Sequence, residues 1–542
     1  MDAMTMPPEP RNEAVRDYLA GSSDRELLLA ELARLGSLGP RELPAVIDGE
    51  AVSGQGREFA VVEPHAHANV LGVGRNTTSS QAFEAVEAAL RAAPDWRGLS
   101  FDDRAAIFLR AADLIAGPRR DLLNAATMLG QSKTVIQAEI DSACELIDFL
   151  RFNVSFGRSI MTEQPQSGNG MWNRMDYRPL EGFVYAVTPF NFTAISGNLP
   201  TAPALMGNVV IWKPAPTQQL AAHFLMQILV EAGLPPGVIN MLPGDGIAVS
   251  DVVLKHPKLA GIHFTGSTSV FRSMWRTVAE YLDTYESYPR LVGETGGKDF
   301  VLAHPSADVD ILRTALVRGA FDYQGQKCSA ASRAYVPRSV WERMRSDLVA
   351  EVEGLTVGPV TDLTNFAGAV IDANAYARIT GAIDRARRDP AVEVVAGGAF
   401  NDEAGWFIRP TVLLGTDPRA EWFSAEYFGP LLSVFVFPDA EFVSTIELVN
   451  STSPYGLTGS IMATDRAAIR LATAGLRFAA GNFYINDKPS GAVVGQQPFG
   501  GTRASGTDDK AGSLLNLLRW TAPRAIKETF VAPRTSAYPH MA

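Results

Sequence analysis

The sequence has two cysteines in 542 residues, Cys144 and Cys328. So few exclude a disulfide framework and suit a reducing compartment, expected here to be the cytoplasm. No run of about 18 apolar residues is present, so no membrane span is expected. The polar, proline-rich start, Met1 to Pro10, lacks the apolar core of a secretory signal. Lysine and arginine number 48 against 59 acidic residues and form no long basic block, which argues against nucleic acid as a partner. His65 and His67 lie close together without Cys or His companions, so no metal site is expected. A G-x-G-x-x-G fingerprint is also missing. Gly72-Val73-Gly74 has no third glycine opening a helix.

What is present is an ordinary globular composition, 46% hydrophobic and 20% charged, on a chain long enough for two or three domains. The first forty or so residues read as a charged arm with helical stretches. Ala45 to Glu50 reads as strand and turn, and Gln81–Ala93, Ala105–Ala116 and Val135–Phe152 carry helical periodicity. Cys144, beside Leu146 and Ile147, reads as core. A Ser/Gly/Gln-rich stretch from Glu163 to Gly170 is flanked by segments suited to a projecting hairpin. From Phe183 onward apolar strands (Phe183–Val187, Asn208–Trp212, Val238–Leu242, Gly261–Phe264) alternate with helices (Gln218–Ala232, Ile247–Lys255, Ser269–Leu282). That rhythm implies a parallel, doubly wound sheet, which binds nucleotides beyond its strands' carboxyl ends. A second α/β region follows from Gly297, with a strand at Phe300–Leu302 and a helix at Ile311–Phe321 leading to Cys328.

Cys328 sits in Gly325-Gln326-Lys327-Cys328-Ser329-Ala330, and Glu294 in Glu294-Thr295-Gly296-Gly297-Lys298. A thiol among small and basic residues, with a carboxylate within reach in the fold, suits covalent catalysis. A helix N-terminus or the Lys327 cation would lower the thiol pKa, whereas a small buried apolar cysteine is the plainer alternative. Phe264-Thr265-Gly266-Ser267-Thr268 follows a strand and opens a helix, which suits a pyrophosphate; Ser267 as a simple N-cap fits equally. Lys213, in Trp212-Lys213-Pro214, falls at the sheet's carboxyl edge, where it reaches a ribose or stands as a solvated surface lysine.

These segments, with Thr188-Pro189-Phe190-Asn191-Phe192, Glu426-Tyr427-Phe428-Gly429-Pro430 and Pro498-Phe499-Gly500-Gly501, occur in one order over roughly residues 45–525. In that order they resemble the aldehyde dehydrogenase superfamily. Gly491 to Gly501, Arg503 to Thr507 and Leu518-Arg519-Trp520 resemble the branch that oxidises L-glutamate γ-semialdehyde. The resemblance implies an α/β fold with a Rossmann-type NAD domain (45–154 and 183–296), an α/β catalytic domain (297–506) and a small β oligomerisation flap. The flap would be a hairpin and C-terminal tail (155–182 and 507–542), preceded in the chain by the arm, 1–44.

The same resemblance implies Cys328 as nucleophile, Glu294 as general base and Asn191, with the Cys328 backbone N–H, as oxyanion donors. It places Thr188, Pro189, Lys213, Gly266, Ser267, Thr268, Ser269 and Val270 around the adenosine and pyrophosphate of NAD. Glu426 would hold the nicotinamide ribose with Phe428 packed nearby. Pro214-Ala215-Pro216 supplies no second basic residue for a 2′-phosphate. The substrate's carboxylate would meet Gly491, Ala492 and Ser329, and its stem Phe192 and Phe499; an ordinary turn and core packing are the plain alternatives.

The implied partners are that semialdehyde, a second copy of the chain (dimer or higher, through Ser155–Pro179 and the tail with Trp520 and Phe530) and a proline dehydrogenase. A succinate semialdehyde dehydrogenase would share the catalytic residues and differ in the carboxylate anchor. A catalytically silent scaffold has no need of Asn191, Glu294 and Cys328 together.

Overall fold

A computed structural model describes residues 5–541, so residues 1–4 of the arm and Ala542 of the tail lie outside the described residues. Two seven-stranded sheets organise the chain. In the first, the spatial order is Arg290–Glu294, Leu259–Thr265, Phe183–Thr188, Val209–Pro214, Ile239–Met241, Ala45–Ile47 and Glu50–Val52. The first five are parallel and the last two antiparallel. Phe183–Thr188 and Val209–Pro214 are apolar on both faces because helices cover both. The strand order reverses between Phe183–Thr188 and Leu259–Thr265. There the connections leave in opposite directions and a crevice opens at the carboxyl ends.

The second sheet runs Val392–Ala396, Thr411–Gly415, Leu431–Phe437, Ala331–Pro337, Asp299–Ala303, Thr458–Met462 and Asn482–Ile485, parallel except for the first strand. Cys328 lies in the turn just before Ala331–Pro337. The turn is set by three successive residues in the left-handed region, Tyr323 (φ 51°), Gln324 (φ 54°) and Gly325 (φ 65°). At Gly325 a side chain would strike the Gly429 carbonyl.

Three expectations change. The helix read over Val135–Phe152 is broken: Val135–Ala138, a π-turn over Glu139–Cys144, then Glu145–Thr162. An inserted residue of this kind leaves the apolar period nearly intact, so the sequence hides it. The stretch before Gly170 does not fold back as a hairpin. Ser155 to Thr162 is helix, and Met171–Arg178 pairs antiparallel with Ala522–Thr529, far along the chain. Trp520 is not available to a partner. It is fully buried on the first sheet, its ring 4.6 Å from that of His263 and its Nε1 donating to Asn516 Oδ1 at 3.3 Å. Phe530 is exposed. The Gly72-Val73-Gly74 glycines serve packing: a side chain on Gly72 would meet Leu43, and one on Gly74 would meet Phe59.

Trp520 closes the core where the last segment leaves it. Asn208 Nδ2 donates to its carbonyl at 2.9 Å, and Arg290 donates to the carbonyls of Leu518 and Arg519. Trp520→Ala should therefore lower unfolding free energy by about 3–5 kcal/mol, the usual cost of deleting a buried aromatic. A denaturant midpoint equal to that of the wild type would contradict this placement.

Candidate active site

The carboxyl ends of the first sheet face the amino ends of the second, and Cys328 stands where two cavities meet. One is a cleft of ≈ 770 Å³ along the first sheet. Thr188, Pro189, Lys213, Gly266, Ser267, Val270, Glu426 and Phe428 line it, as does Asn191. The other cavity, ≈ 160 Å³, holds Glu294, Phe192, Phe499, Ser329, Gly491 and Ala492. The residues expected around cofactor and substrate thus separate onto opposite sides of one sulfur atom. Thr268 and Ser269 are exceptions, facing away from the cleft. Thr268 Oγ1 accepts from Gly296 N–H at 3.3 Å, and Ser269 Oγ lies 3.3 Å from Ser267 Oγ.

The cleft's donors suit a dinucleotide. Ser267 caps the helix Thr268–Glu280, accepting from Val270 N–H, so both readings of this segment hold together: the cap orders a helix N-terminus whose remaining N–H groups face a phosphate site. At Gly266 a side chain would press on the Phe264 ring. Lys213 is not a solvated surface lysine. It is 6% exposed, donates to the Pro214 carbonyl at 3.1 Å, and burial lowers its pKa to about 8 against the pull of Asp245. Glu426 accepts from Gly297 N–H at 2.8 Å, and burial raises its carboxyl pKa to about 7. Gly296 must be glycine because a side chain there would strike the Glu426 carboxylate. Phe428 is held at φ 51° with its ring 5.8 Å from Phe190 at the cleft mouth, a backbone conformation rare outside glycine and favoured only by its surroundings. Val187, Leu254 and Met274 supply an apolar wall. Phosphate donors, a buried cation, a ribose-facing carboxylate and this wall fit NAD.

On the other side, Glu294 ends the strand Arg290–Glu294, and the C-terminal glycine-rich loop wraps it. Gly501 N–H donates to Glu294 Oε2 at 2.9 Å, Thr295 N–H to the Ser505 carbonyl, and Gly293 N–H to Thr507 Oγ1. Burial raises the Glu294 pKa well above the carboxylate range. The Gly501 N–H and Lys510 oppose this, and Asp508 and Asp509 add to it. A carboxylate so placed is a strong proton acceptor when ionised. Beside Cys328 on the cleft side, the buried Asn191 side chain donates one N–H to the Gln326 carbonyl at 3.0 Å, which fixes the amide and leaves its second N–H free.

The thiol corrects one expectation. Lys327 does not depress it. Burial raises the Cys328 pKa, and the carboxylates of Asp299, Glu294 and Glu426 raise it further. Lys327 turns instead to Asp141, at 3.2 Å, and that aspartate also pairs with the buried Lys133. Burial works against the Lys327 charge, but Asp141 and Asp322 outweigh it and hold its pKa above the ordinary value. Lys133 sits over the rings of Phe192 (4.4 Å) and Tyr323 (3.9 Å), fixing one wall of the smaller cavity.

Sequence reasoning missed three residues of that cavity: Lys327 as a lining cation, Asp141 and Glu145. Burial and the neighbouring Asp141 push the Glu145 pKa up to about 8. The π-turn that aims these two acids inward leaves no mark in the sequence. Cys144, read as core, is 5% exposed and borders the cavity between Arg120 and Glu139. Among the described residues no cluster of three or more His, Cys, Asp or Glu is arranged to hold a metal, and no helix is long and apolar enough to cross a membrane.

Comparison with known proteins agrees with this geometry. The aldehyde dehydrogenase family matches residues 51–526. The chain is 48% identical to the mitochondrial delta-1-pyrroline-5-carboxylate dehydrogenase of Emericella nidulans, over 97% of this chain and 93% of that protein. Among solved structures, the delta-pyrroline-5-carboxylate dehydrogenase of Mycobacterium tuberculosis bound with NAD is 60% identical, with a TM-score of 0.97 over 100% of both chains. Proline utilization A of Bdellovibrio bacteriovorus is 29% identical with a TM-score of 0.91, over 98% of this chain and 55% of that one. By its matched length, fold and paired cavities, the chain belongs to the aldehyde dehydrogenase family.

Proposed function

We propose that this chain oxidises L-glutamate γ-semialdehyde, in equilibrium with Δ1-pyrroline-5-carboxylate, to L-glutamate with NAD, the second step of proline breakdown. The observation that carries the reading is the position of Cys328, which borders both the dinucleotide cleft and the smaller cavity. An aldehyde held on one side of the sulfur faces a nicotinamide held on the other.

The Cys328 thiolate attacks the aldehyde carbon, and negative charge moves from sulfur to oxygen. The free N–H of Asn191 and the Cys328 backbone N–H receive that oxyanion. NAD bound in the cleft would supply the hydride acceptor; Lys213, Ser267 and the N-terminus of Thr268–Glu280 would hold its adenosine half, and Glu426 and Phe428 its nicotinamide half. Once oxidised, the acyl group remains on Cys328 as a thioester. Glu294 then takes a proton from water, which attacks the thioester and frees the acid. The α-carboxylate fits the far end of the smaller cavity, at Gly491, Ala492 and Ser329, with the Lys327 charge nearby. Phe192 and Phe499 flank the methylene stem.

The same reading includes a homo-oligomer formed through the ribbon of Met171–Arg178 and Ala522–Thr529, which leaves Trp172, Phe530 and Val531 exposed. It includes a proline dehydrogenase as the source of substrate. The chain's match to only 55% of the longer proline utilization A, which leaves room there for another activity, supports that link. The reduced thiol that the chemistry needs suits the cytoplasm.

Purified protein with NAD should form NADH from Δ1-pyrroline-5-carboxylate in strong preference to succinate semialdehyde. The reverse preference would discard the carboxylate anchor. Ser329→Ala should raise the KM for the pyrroline substrate roughly ten- to hundredfold, the loss of one hydrogen bond to a charged group, and leave the KM for NAD unchanged. Equal effects on both would count against that contact. The raised Glu294 pKa sets a further expectation. The base works only when ionised, so deacylation is lost as pH falls through that raised value. The acid limb of kcat should therefore lie well above the ordinary carboxylate value of 4.5, and a limb at or below it would contradict the burial of Glu294.

A further inference from the structure

The loop that carries Gly491 and Ala492 is packed through Val494 into the core but has few hydrogen bonds of its own. Residues 486–497 contain no helix or strand, and Gly491 and Gly495 both adopt positive φ (88° and 80°). Inside the loop, Gln496 N–H and Gln497 N–H donate to the Val493 carbonyl, and Gln497 Oε1 accepts from Val493 N–H. Beyond the loop, among the described residues, every hydrogen bond made by residues 491–496 ends on one side chain, that of Asn12. Asn12 Nδ2 donates to the Val494 carbonyl at 2.8 Å, and Asn12 Oδ1 accepts from Gln496 Nε2 at 2.9 Å. The same Nδ2 donates to Asp148 Oδ2 at 2.8 Å, on the helix Glu145–Thr162 that forms the opposite wall of the cavity.

The arm that brings Asn12 there has no regular structure and is fixed by ionic contacts. Glu13 N–H donates to Asp148 Oδ1 at 2.7 Å, and the Glu13 carboxylate receives Arg120 and Arg151, each at 2.7 Å. Arg16 N–H and the Tyr18 hydroxyl donate to the two oxygens of the buried Glu139 at 2.9 and 2.8 Å. These contacts hold the segment from Asn12 to Tyr18 against the π-turn and the helix that follows it. An arm that were merely draped over the surface would not need a buried arginine and a buried glutamate to seat it.

We propose that Asn12 is a positioning residue for the semialdehyde: it clasps the loop bearing Gly491 and Ala492 to the helix Glu145–Thr162 and so sets where the backbone N–H groups meet the substrate's carboxylate. The proposal rests on the substrate reading above and deepens it. Asn12 does not touch the reacting atoms. Its effect is on an aldehyde that carries a distant carboxylate, and an aldehyde without one gains nothing from the clasp.

The test compares full-length wild type, Asn12→Ala, Gln496→Ala and the double variant, with Δ1-pyrroline-5-carboxylate and with propanal, at saturating NAD. In Asn12→Ala the ratio of the two KM values should shift toward propanal on the order of tenfold, as expected for losing two hydrogen bonds that order a binding loop. Gln496→Ala should shift it less. The double variant should be no worse than Asn12→Ala, because both changes break the same clasp. A general loss of structure would instead move both substrates together or lower kcat with each, and either result overturns the proposal, as does an unchanged ratio. If Asn12→Ala does not fold, Gln496→Ala, which removes a single contact, decides on the same ratio. Wild type measured alongside separates the two claims. No preference for the pyrroline substrate in wild type overturns the substrate reading and this role with it. Normal preference in wild type with an unchanged ratio in the variants overturns the clasp alone.

Discussion

The enclosure of Cys328 among the carboxylates of Asp299, Glu294 and Glu426 is the constraint on which the rest of the site depends. Burial raises the pKa of the thiol, of Glu294 and of Glu426 together, and no cation is spent on the sulfur, since Lys327 is taken by Asp141. Such a low-dielectric, carboxylate-lined site makes the thiolate costly before reaction. It also makes each N–H donor at the oxyanion position worth more than in water. The cost is borne when charge sits on sulfur and is relieved as it moves to oxygen, toward Asn191 and the Cys328 backbone. That is stabilisation of the transition state in preference to the ground state. The same partial burial raises the basicity of Glu294, which thioester hydrolysis requires.

The fold meets this constraint by setting the carboxyl ends of the first sheet against the amino ends of the second. The first provides a crevice at its reversal of strand order, beside Thr188 and Gly266, and also Glu294 at the end of its outermost strand. The second provides the left-handed turn from Tyr323 to Gly325 that presents Cys328. Neither sheet holds a complete site. The glycine-rich loop from Gly500 to Gly506, more than two hundred residues downstream, covers Glu294 from behind, and its Gly501 N–H opposes the rise in pKa that burial causes.

Much of this was legible in the sequence, and the division has a physical basis. The parallel strands from Phe183 to Thr265 were readable because burial on both faces writes a continuous apolar run. Cys328 and Glu294 lie in short segments that suggest covalent chemistry, but their roles, and Asn191 altogether, became readable only through the ordered set of segments that resembles the aldehyde dehydrogenase superfamily. Other features depend on distant partners and leave no local trace. Lys327 reads as a cation for its neighbouring thiol until Asp141 is seen beside it. Asp141 and Glu145 read as ordinary positions of a helix until the π-turn rotates them inward. Met171–Arg178 suggests a local hairpin, but its partner is the tail. Asn12 is a polar residue in an irregular arm, and only the folded chain brings it to Val494 and Gln496. Catalysis was therefore more readable than specificity: the first rests on a few compact motifs, the second on contacts between remote segments.

The most direct test of the account is a rapid-mixing measurement on Glu294→Gln with NAD and Δ1-pyrroline-5-carboxylate. If Cys328 carries the acyl group and Glu294 releases it, NADH should form in a burst approaching one equivalent per active site and then nearly stop. An unaltered steady rate without a burst would contradict the assignment of Glu294 as the base, and with it the claim that the Glu294 side of Cys328 is where the thioester is hydrolysed.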